Sequence, residues 1–305
     1  MSVEKVIECC NLTKKFNMKT ALNNLTFSLD ENKIIGLIGR NGAGKTTFLK
    51  TCAGYIKPSA GSITIWGEKV FNNIDVLSNM IFVDEEIQYD TSSRLKDIID
   101  LGKTYYKSWD NKFALKLARY FNLDLNLKYK KLSRGMKTQF NIIMGLSSRS
   151  PLTLLDEPTL GLDAAIRKEF YNILLKDYME NPRTIIISSH LLSEIESLLE
   201  EIVLIKEGSL VLHESVETVQ EYGIYLNGKK DIILPFIQNK EVLNVEVYGN
   251  DAVAAIKNDL NKNETTYLSE NSIDISKVPM QDVCIFLTKS KREGGFDEFE
   301  AWVEE

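Results

Sequence analysis

Three stretches of this 305-residue chain carry groups suited to chemistry on a phosphate. The first, Gly39-Arg40-Asn41-Gly42-Ala43-Gly44-Lys45-Thr46-Thr47, fits the spacing G-x-x-x-x-G-K-[ST] through Gly39, Gly44, Lys45 and Thr46. The apolar run Ile34-Ile35-Gly36-Leu37-Ile38 precedes it and Phe48-Leu49-Lys50 follows. That is the strand, glycine loop and helix start of a phosphate cradle, with backbone amides and the helix dipole turned toward the anion. The second stretch, Leu152-Thr153-Leu154-Leu155-Asp156-Glu157, is an apolar strand ending in two carboxylates. Because side chains alternate along a strand, the two are expected on opposite sides. Asp156 then suits the oxygen shell of a Mg2+ ion, and Glu157 a general-base or water-orienting role. The third, Ile185-Ile186-Ile187-Ser188-Ser189-His190, ends in one of only two histidines. A histidine there can donate a hydrogen bond to a terminal phosphate and sense its loss. The other, His213, lies past the core strands and is given no role.

A further segment, Leu132-Ser133-Arg134-Gly135-Met136, reads as a helix start: Ser133 caps it and Gly135 lets the backbone approach an anion. It lies far along the chain, in a different subdomain, and does not easily reach the phosphate loop of its own chain. A site completed by a second molecule accounts for it.

The elements that must position these groups alternate. Short β runs are expected at 3–10, 25–29 and 34–38, and a helix follows the phosphate loop until Gly54, Pro58 and Gly61 end it. Residues 86–150 turn helical, with Leu95, Ile98, Ile99 and Leu101, then Phe113, Leu115, Leu117 and Ala118, at helical spacing. Strands at 152–155 and 184–188 alternate with helices at 164–178 and 191–199, which predicts an α/β core around a largely parallel sheet. From about residue 214 the character changes. A connecting helix at 216–223, strands at 232–237 and 243–248, a helix at 251–260, and strands near Ile273 and at 284–287 predict a small α+β unit without a chemical motif. In the tail, Phe296, Phe299, Trp302 and Val303 stand at helical spacing, as in a docking helix or a cap on that unit.

The composition, 44% hydrophobic and 26% charged, is that of a globular protein. A net charge of −6 argues against a nucleic-acid partner, and Lys128-Tyr129-Lys130-Lys131 reads as a solvated loop. No apolar run reaches the ~18 residues of a membrane span, and the start MSVEKVIECC does not read as a signal peptide. Cys9, Cys10, Cys52 and Cys284 lack C-x-x-C pairing and read as reduced core thiols of a cytoplasmic protein.

In order and spacing, the phosphate loop 39–46, segment 132–136, Asp156-Glu157, loop Gly161-Leu162-Asp163 and His190 resemble the ATP-binding subunits of ABC transporters. The resemblance spans about residues 3–213. It implies an α/β fold: a RecA-like P-loop NTPase core with an antiparallel β subdomain and a helical subdomain (about 86–150), forming an ATPase domain over 1–213. An accessory α+β domain over 214–305 follows. Two such domains close head to tail around two ATP molecules. On that pattern Lys45 contacts the β- and γ-phosphates, Thr46 ligates Mg2+, and the amides of Asn41, Gly42, Ala43, Gly44, Lys45, Thr46 and Thr47 cradle the phosphates. Ser133 and Gly135 of the signature contact the γ-phosphate bound by the partner subunit, Asp163 lies at the dimer seam, and Phe16 stacks on adenine.

Departures from the family pattern fall in two places. Arg134 and Met136 stand where its signature has glycine and glutamine. Glu85, in Met80-Ile81-Phe82-Val83-Asp84-Glu85-Glu86, stands where the family has a glutamine that reaches both metal and membrane partner. A carboxylate still ligates Mg2+ but adds negative charge beside the phosphates; Gln88 serves instead if the loop is longer. The implied function is the ATP-hydrolysing motor of a bacterial exporter of peptides or drugs. Such a chain pairs with itself or with another cassette, drives a separate integral membrane permease, and sits peripherally on the inner face of the cell membrane. The alternative is a soluble ABC-type regulator or a translation or repair ATPase; a single cassette without coiled-coil inserts and the acidic balance speak against it.

Overall fold

The chain opens with a long antiparallel hairpin of β1 (Lys5–Phe16) and β2 (Lys19–Asp30), turned at Asn17 with a left-handed φ of 51°. Asparagine tolerates that conformation better than bulky residues do. β3 (Ile34–Ile38) follows, every residue buried, and then the phosphate loop and α1 (Lys45–Cys52). β4 (Ala60–Ile65) returns to pair with β1, and β5 (Glu68–Lys69) lies at its edge, so this sheet runs in the order β2-β1-β4-β5. The computed structural model describes residues 4–289 apart from Gln88. The aromatic tail and the Gln88 alternative lie outside the described residues.

Next come α2 (Ile74–Leu77), β6 (Met80–Val83) and the expected helices α3 (Leu95–Tyr105), α4 (Asn111–Tyr120) and α5 (Arg134–Ser147). Their buried residues recur at helical spacing: Leu95, Ile98 and Ile99 on α3, and Ala114, Leu117 and Ala118 on α4. β7 (Leu152–Asp156), α6 (Ala164–Glu180), β8 (Thr184–Ser189), α7 (Leu192–Ile195), β9 (Glu201–Lys206) and β10 (Ser209–Ser215) complete the core. The expected helix at 191–199 shortens to α7 and a following 3-10 turn.

Among the described residues the second sheet runs β10-β9-β3-β8-β7-β6, with β9, β3, β8, β7 and β6 pairing in parallel. β3, β7 and β8 are buried along their whole length, as strands covered on both faces must be. Parallel pairing places the C-terminal ends of β3, β8 and β7 side by side. The phosphate loop, His190 and Glu157 therefore emerge at one edge of the sheet, where open α/β sheets bind ligands.

At the opposite ends of these strands, Asp177 and Arg183 are each 4% exposed and paired at 2.8 Å; Arg149 holds the other Asp177 oxygen at 2.7 Å. Removing one partner of a buried pair strands the remaining charge. Asp177→Ala is expected to lower unfolding free energy by about 3–5 kcal/mol, read as a lowered denaturant midpoint.

The chain separates into two compact units, Met1–Glu214 and Ser215–Glu305. The second comprises α8 (Val216–Gln220), β11 (Gly223–Lys229), α9 (Lys230–Phe236), β12 (Val242–Tyr248), β13 (Asp251–Lys257), α10 (Lys262–Glu270), β14 (Asp274–Lys277) and α11 (Met280–Thr288). Its strands order β12-β13-β11-β14, all antiparallel, the arrangement of a β-α-β-β-α-β split unit.

Three expectations for this unit are reversed. The run 232–237 is a helix, not a strand: Ile233 and Ile237 are buried four residues apart while Leu234 faces out. A short apolar run cannot distinguish the two by itself. Residues 251–257 are a strand, not a helix. Ala252, Ala254 and Ala255 pass for helix formers, but β13 lies inside the sheet, and Gly249-Asn250 is the two-residue turn from β12. The stretch 284–287 belongs to α11, whose Met280, Val283, Cys284 and Thr288 are buried at helical spacing. The cysteines are free, but Cys10 is exposed, against the expectation of core thiols throughout. Burial pushes the Cys9 and Cys284 thiols up to about 12.

Candidate nucleotide site

The phosphate loop is wedged between neighbouring strands, which dictates its glycines. Gly44 takes φ 112°, and a Cβ there would lie 2.6 Å from the Ala21 carbonyl oxygen. A Cβ on Gly39 would lie 2.4 Å from the Ile205 carbonyl oxygen. No larger residue fits either position without moving β2 or the end of β9. Gly44 precedes the first turn of α1, so the free amides of that turn face the loop. Lys45, 6% exposed, donates to the Gly39 carbonyl at 2.7 Å and lies 3.4 Å from Glu157 Oε1.

A cavity of about 280 Å³ opens over the loop, bounded among others by Phe16, Lys19, Arg40, Lys45, Thr46 and Glu157. Asn41, Gly42, Ala43, Gly44 and Thr47 of the loop also line it. Phe16, 45% exposed, presents an aromatic face at its rim, with Lys14 Nζ 4.9 Å from the ring centre. A larger cleft of about 780 Å³ lies at the opposite ends of the strands, beside Trp109, Arg149 and Arg183. Those arginines are already paired with Asp110 and Asp177, and the cleft contains no part of the loop.

The two carboxylates take different partners, Asp156 meeting Ser188 and Glu157 meeting Lys45 and His190. Glu157 lies just past β7 with a left-handed φ of 46°, and that turn redirects its side chain. The turn is held by Ser188, which sequence reasoning missed. Ser188 Oγ accepts the Glu157 amide at 2.9 Å and donates to Asp156 Oδ1 at 2.5 Å. No local sequence signal marks it: the register of β7 on β8, which sets Asp156 opposite Ser188, is visible only in the fold. Glu157 Oε2 in turn lies 2.8 Å from His190 Nδ1. Lys45, Glu157 and His190 thus form one line of contacts across the sheet edge, with Asp156 buried beside it.

Ser133, Arg134, Gly135, Met136 and Asp163 do not border the cavity. Ser133 caps α5 by accepting the Met136 amide at 3.3 Å, and Asp163 caps α6 by accepting the Ile166 amide at 3.0 Å. Glu85 also lies outside it. Together with Asp156 and Glu157 it borders a separate small cavity, and its Oε1 lies 2.6 Å from Arg134 Nε. The neighbouring Glu86 carboxyl is held below its ordinary value by Lys50, while burial raises that of Asp84.

Residues 22–160 match the family model described as ABC transporter. The chain is 34% identical over 216 residues to the uncharacterized ABC transporter ATP-binding protein YybJ of Bacillus subtilis (strain 168), covering 69% of this chain and 97% of that one. It is 27% identical over 287 residues to the bacitracin transport ATP-binding protein BcrA of Bacillus licheniformis, covering 91% of this chain and 94% of that one. Among solved structures, a dimeric ATP-binding cassette in a post-hydrolysis state bound to ADP and Pi matches with a TM-score of 0.60. That likeness carries 23% identity and covers 69% of this chain and 98% of the other. With the α/β core, the glycine-locked loop and these relatives together, the chain belongs to the ABC transporter ATP-binding proteins.

Proposed function

We propose that this cassette is the motor of a bacterial exporter, that it shares its ATP sites with a second cassette, and that Glu157 drives hydrolysis. The observation that carries this reading is the convergence of Lys45, Glu157 and His190, with Lys45 Nζ 3.4 Å and His190 Nδ1 2.8 Å from the two Glu157 oxygens. A cation beside the loop amides binds the β- and γ-phosphates, Phe16 stacks on the adenine, and Glu157 orients and deprotonates the attacking water. His190 fixes the Glu157 carboxylate and reaches toward the γ-phosphate.

The donors here fit Mg2+, which takes hard oxygens from one or two carboxylates and from substrate phosphates. Asp156 and the Thr46 hydroxyl would hold it; Glu85, expected as a further ligand, is engaged by Arg134. Among the described residues no group of three or more acidic, histidine or cysteine side chains could hold a metal ion. When bound, Mg2+ neutralises charge on the phosphate oxygens.

Ser133, Arg134, Gly135 and Met136 border no phosphate cavity of their own chain, which supports a role for Ser133 and Gly135 at the γ-phosphate held by the other cassette. Asp163 would lie at that seam. The membrane pathway would belong to a separate permease subunit; no described helix is long and apolar enough to span a membrane. The cassette would then work on the cytoplasmic face. The relative named for bacitracin transport, aligned over nearly the whole chain, supports a peptide or peptide-like drug as cargo.

ATPase rate against protein concentration tests the shared site. A rate rising faster than linearly is expected; a strictly linear rate, or none with ATP bound, overturns it. Ser188 offers an independent check. Ser188→Ala removes the donor to Asp156 and the acceptor for the Glu157 amide, so stability should fall by about 1–3 kcal/mol. Turnover should fall by about tenfold or more as Glu157 loosens. Denaturant titration and steady-state kinetics read the two effects separately.

A further inference from the structure

α5 carries a polar stripe at positions i, i+4 and i+7, formed by Arg134, Thr138 and Asn141. All three side chains reach loops that follow strands of the parallel sheet. Arg134 Nε lies 2.6 Å from Glu85 Oε1, and its stem covers Gly161, where an added Cβ would lie 3.6 Å from Arg134 Cδ. Thr138 Oγ1 donates to the Leu160 carbonyl at 3.1 Å, and Asn141 Nδ2 donates to the Asp84 carbonyl at 3.3 Å. On its other side the loop 84–86 is held by Lys50 of α1, which lies 2.5 Å from Glu86 and 3.5 Å from Asp84. A continuous path of contacts therefore runs from the helix that begins at the phosphate loop to the first turn of α5.

The charges along this path compensate one another. Glu85 stands between Asp84 and Glu86, so without a cation three adjacent carboxylates would repel. Arg134 supplies that cation from a signature position where the family pattern has glycine. Two of the three substitutions that depart from the family pattern, Arg134 and Glu85, are thus partners.

We propose that the Glu85–Arg134 ion pair is a positioning device. It ties the first turn of α5, with Ser133 and Gly135, to the loop 84–86 and through Lys50 to α1. Ordering of α1 by nucleotide at a chain's own loop then sets how its signature meets the other cassette. Arg134 and Glu85 act here as positioning residues, and the inference rests on the reading that Ser133 and Gly135 serve the partner's site.

The test compares Arg134→Ala, Glu85→Ala and the exchanged pair Arg134→Glu with Glu85→Arg in the full chain. In hydrogen exchange, each single variant is expected to expose the amides of 84–87 and the first turn of α5 by about two- to fivefold, the scale of an exposed ion pair. The interior of α5 should stay protected, and the exchanged pair should recover most of the loss. In ATPase assays, single variants should lower kcat by a similar factor with KM for ATP unchanged within about twofold, and the exchanged pair should restore it. Unchanged exchange at 84–87 in both single variants, or an exchanged pair no better than either single, overturns the inference. Absence of concentration-dependent turnover in the wild type would instead count against the shared site, leaving the exchange data to decide the ion pair.

Discussion

Glu157→Gln is expected to lower kcat by about 10²–10³-fold while ATP affinity stays within about twofold, because glutamine keeps the shape but cannot take a proton from water. The geometry makes the substitution clean. The amide of residue 157 still reaches Ser188, so the left-handed turn that aims the side chain survives. The 2.8 Å contact to His190 can persist through the remaining oxygen. Only the charge opposite Lys45 disappears, which frees that cation for phosphate. Single-turnover hydrolysis and equilibrium binding of a fluorescent ATP analogue separate the two effects. Turnover within about fivefold of wild type would remove Glu157 from the chemistry and pass the role to another group.

Lys45→Ala is expected to act on the other half of the process, weakening ATP binding by about 10–100-fold, the scale of one charge-assisted hydrogen bond to phosphate. Lys45 is buried, and its ammonium is oriented at 2.7 Å by the Gly39 carbonyl, so little freedom is lost when phosphate arrives. Isothermal titration with ATP checks the loss. An unchanged affinity would mean that the loop amides alone carry the phosphates.

How far these features could be read from the sequence differs between the two units. In the core, buried parallel strands are continuous apolar runs, and 34–38, 152–155 and 184–188 were legible for that reason. The phosphate loop, both carboxylates and His190 followed, because each stands directly after such a strand. Ser188 was not legible, because its role depends on strand register and on the positive φ of Glu157. The Glu85–Arg134 contact joins residues 49 positions apart and was visible only as two separate departures. In the second unit, short runs such as Ile232-Ile233-Leu234 fit helix and strand equally, and alanine-rich β13 imitates a helix. The Gly249-Asn250 turn and the Asn261–Glu264 capping box were the local signals that identify β13 and α10.

The central claim is a site shared between two cassettes, and the most direct measurement is sedimentation of Glu157→Gln with Mg2+ and either ATP or ADP. The account predicts a dimer carrying two ATP molecules in the first case and a monomer in the second, with Gly135→Glu abolishing the dimer while ATP still binds the monomer. A monomer that holds ATP at every accessible protein concentration, or a dimer indifferent to nucleotide and to Gly135→Glu, would contradict it.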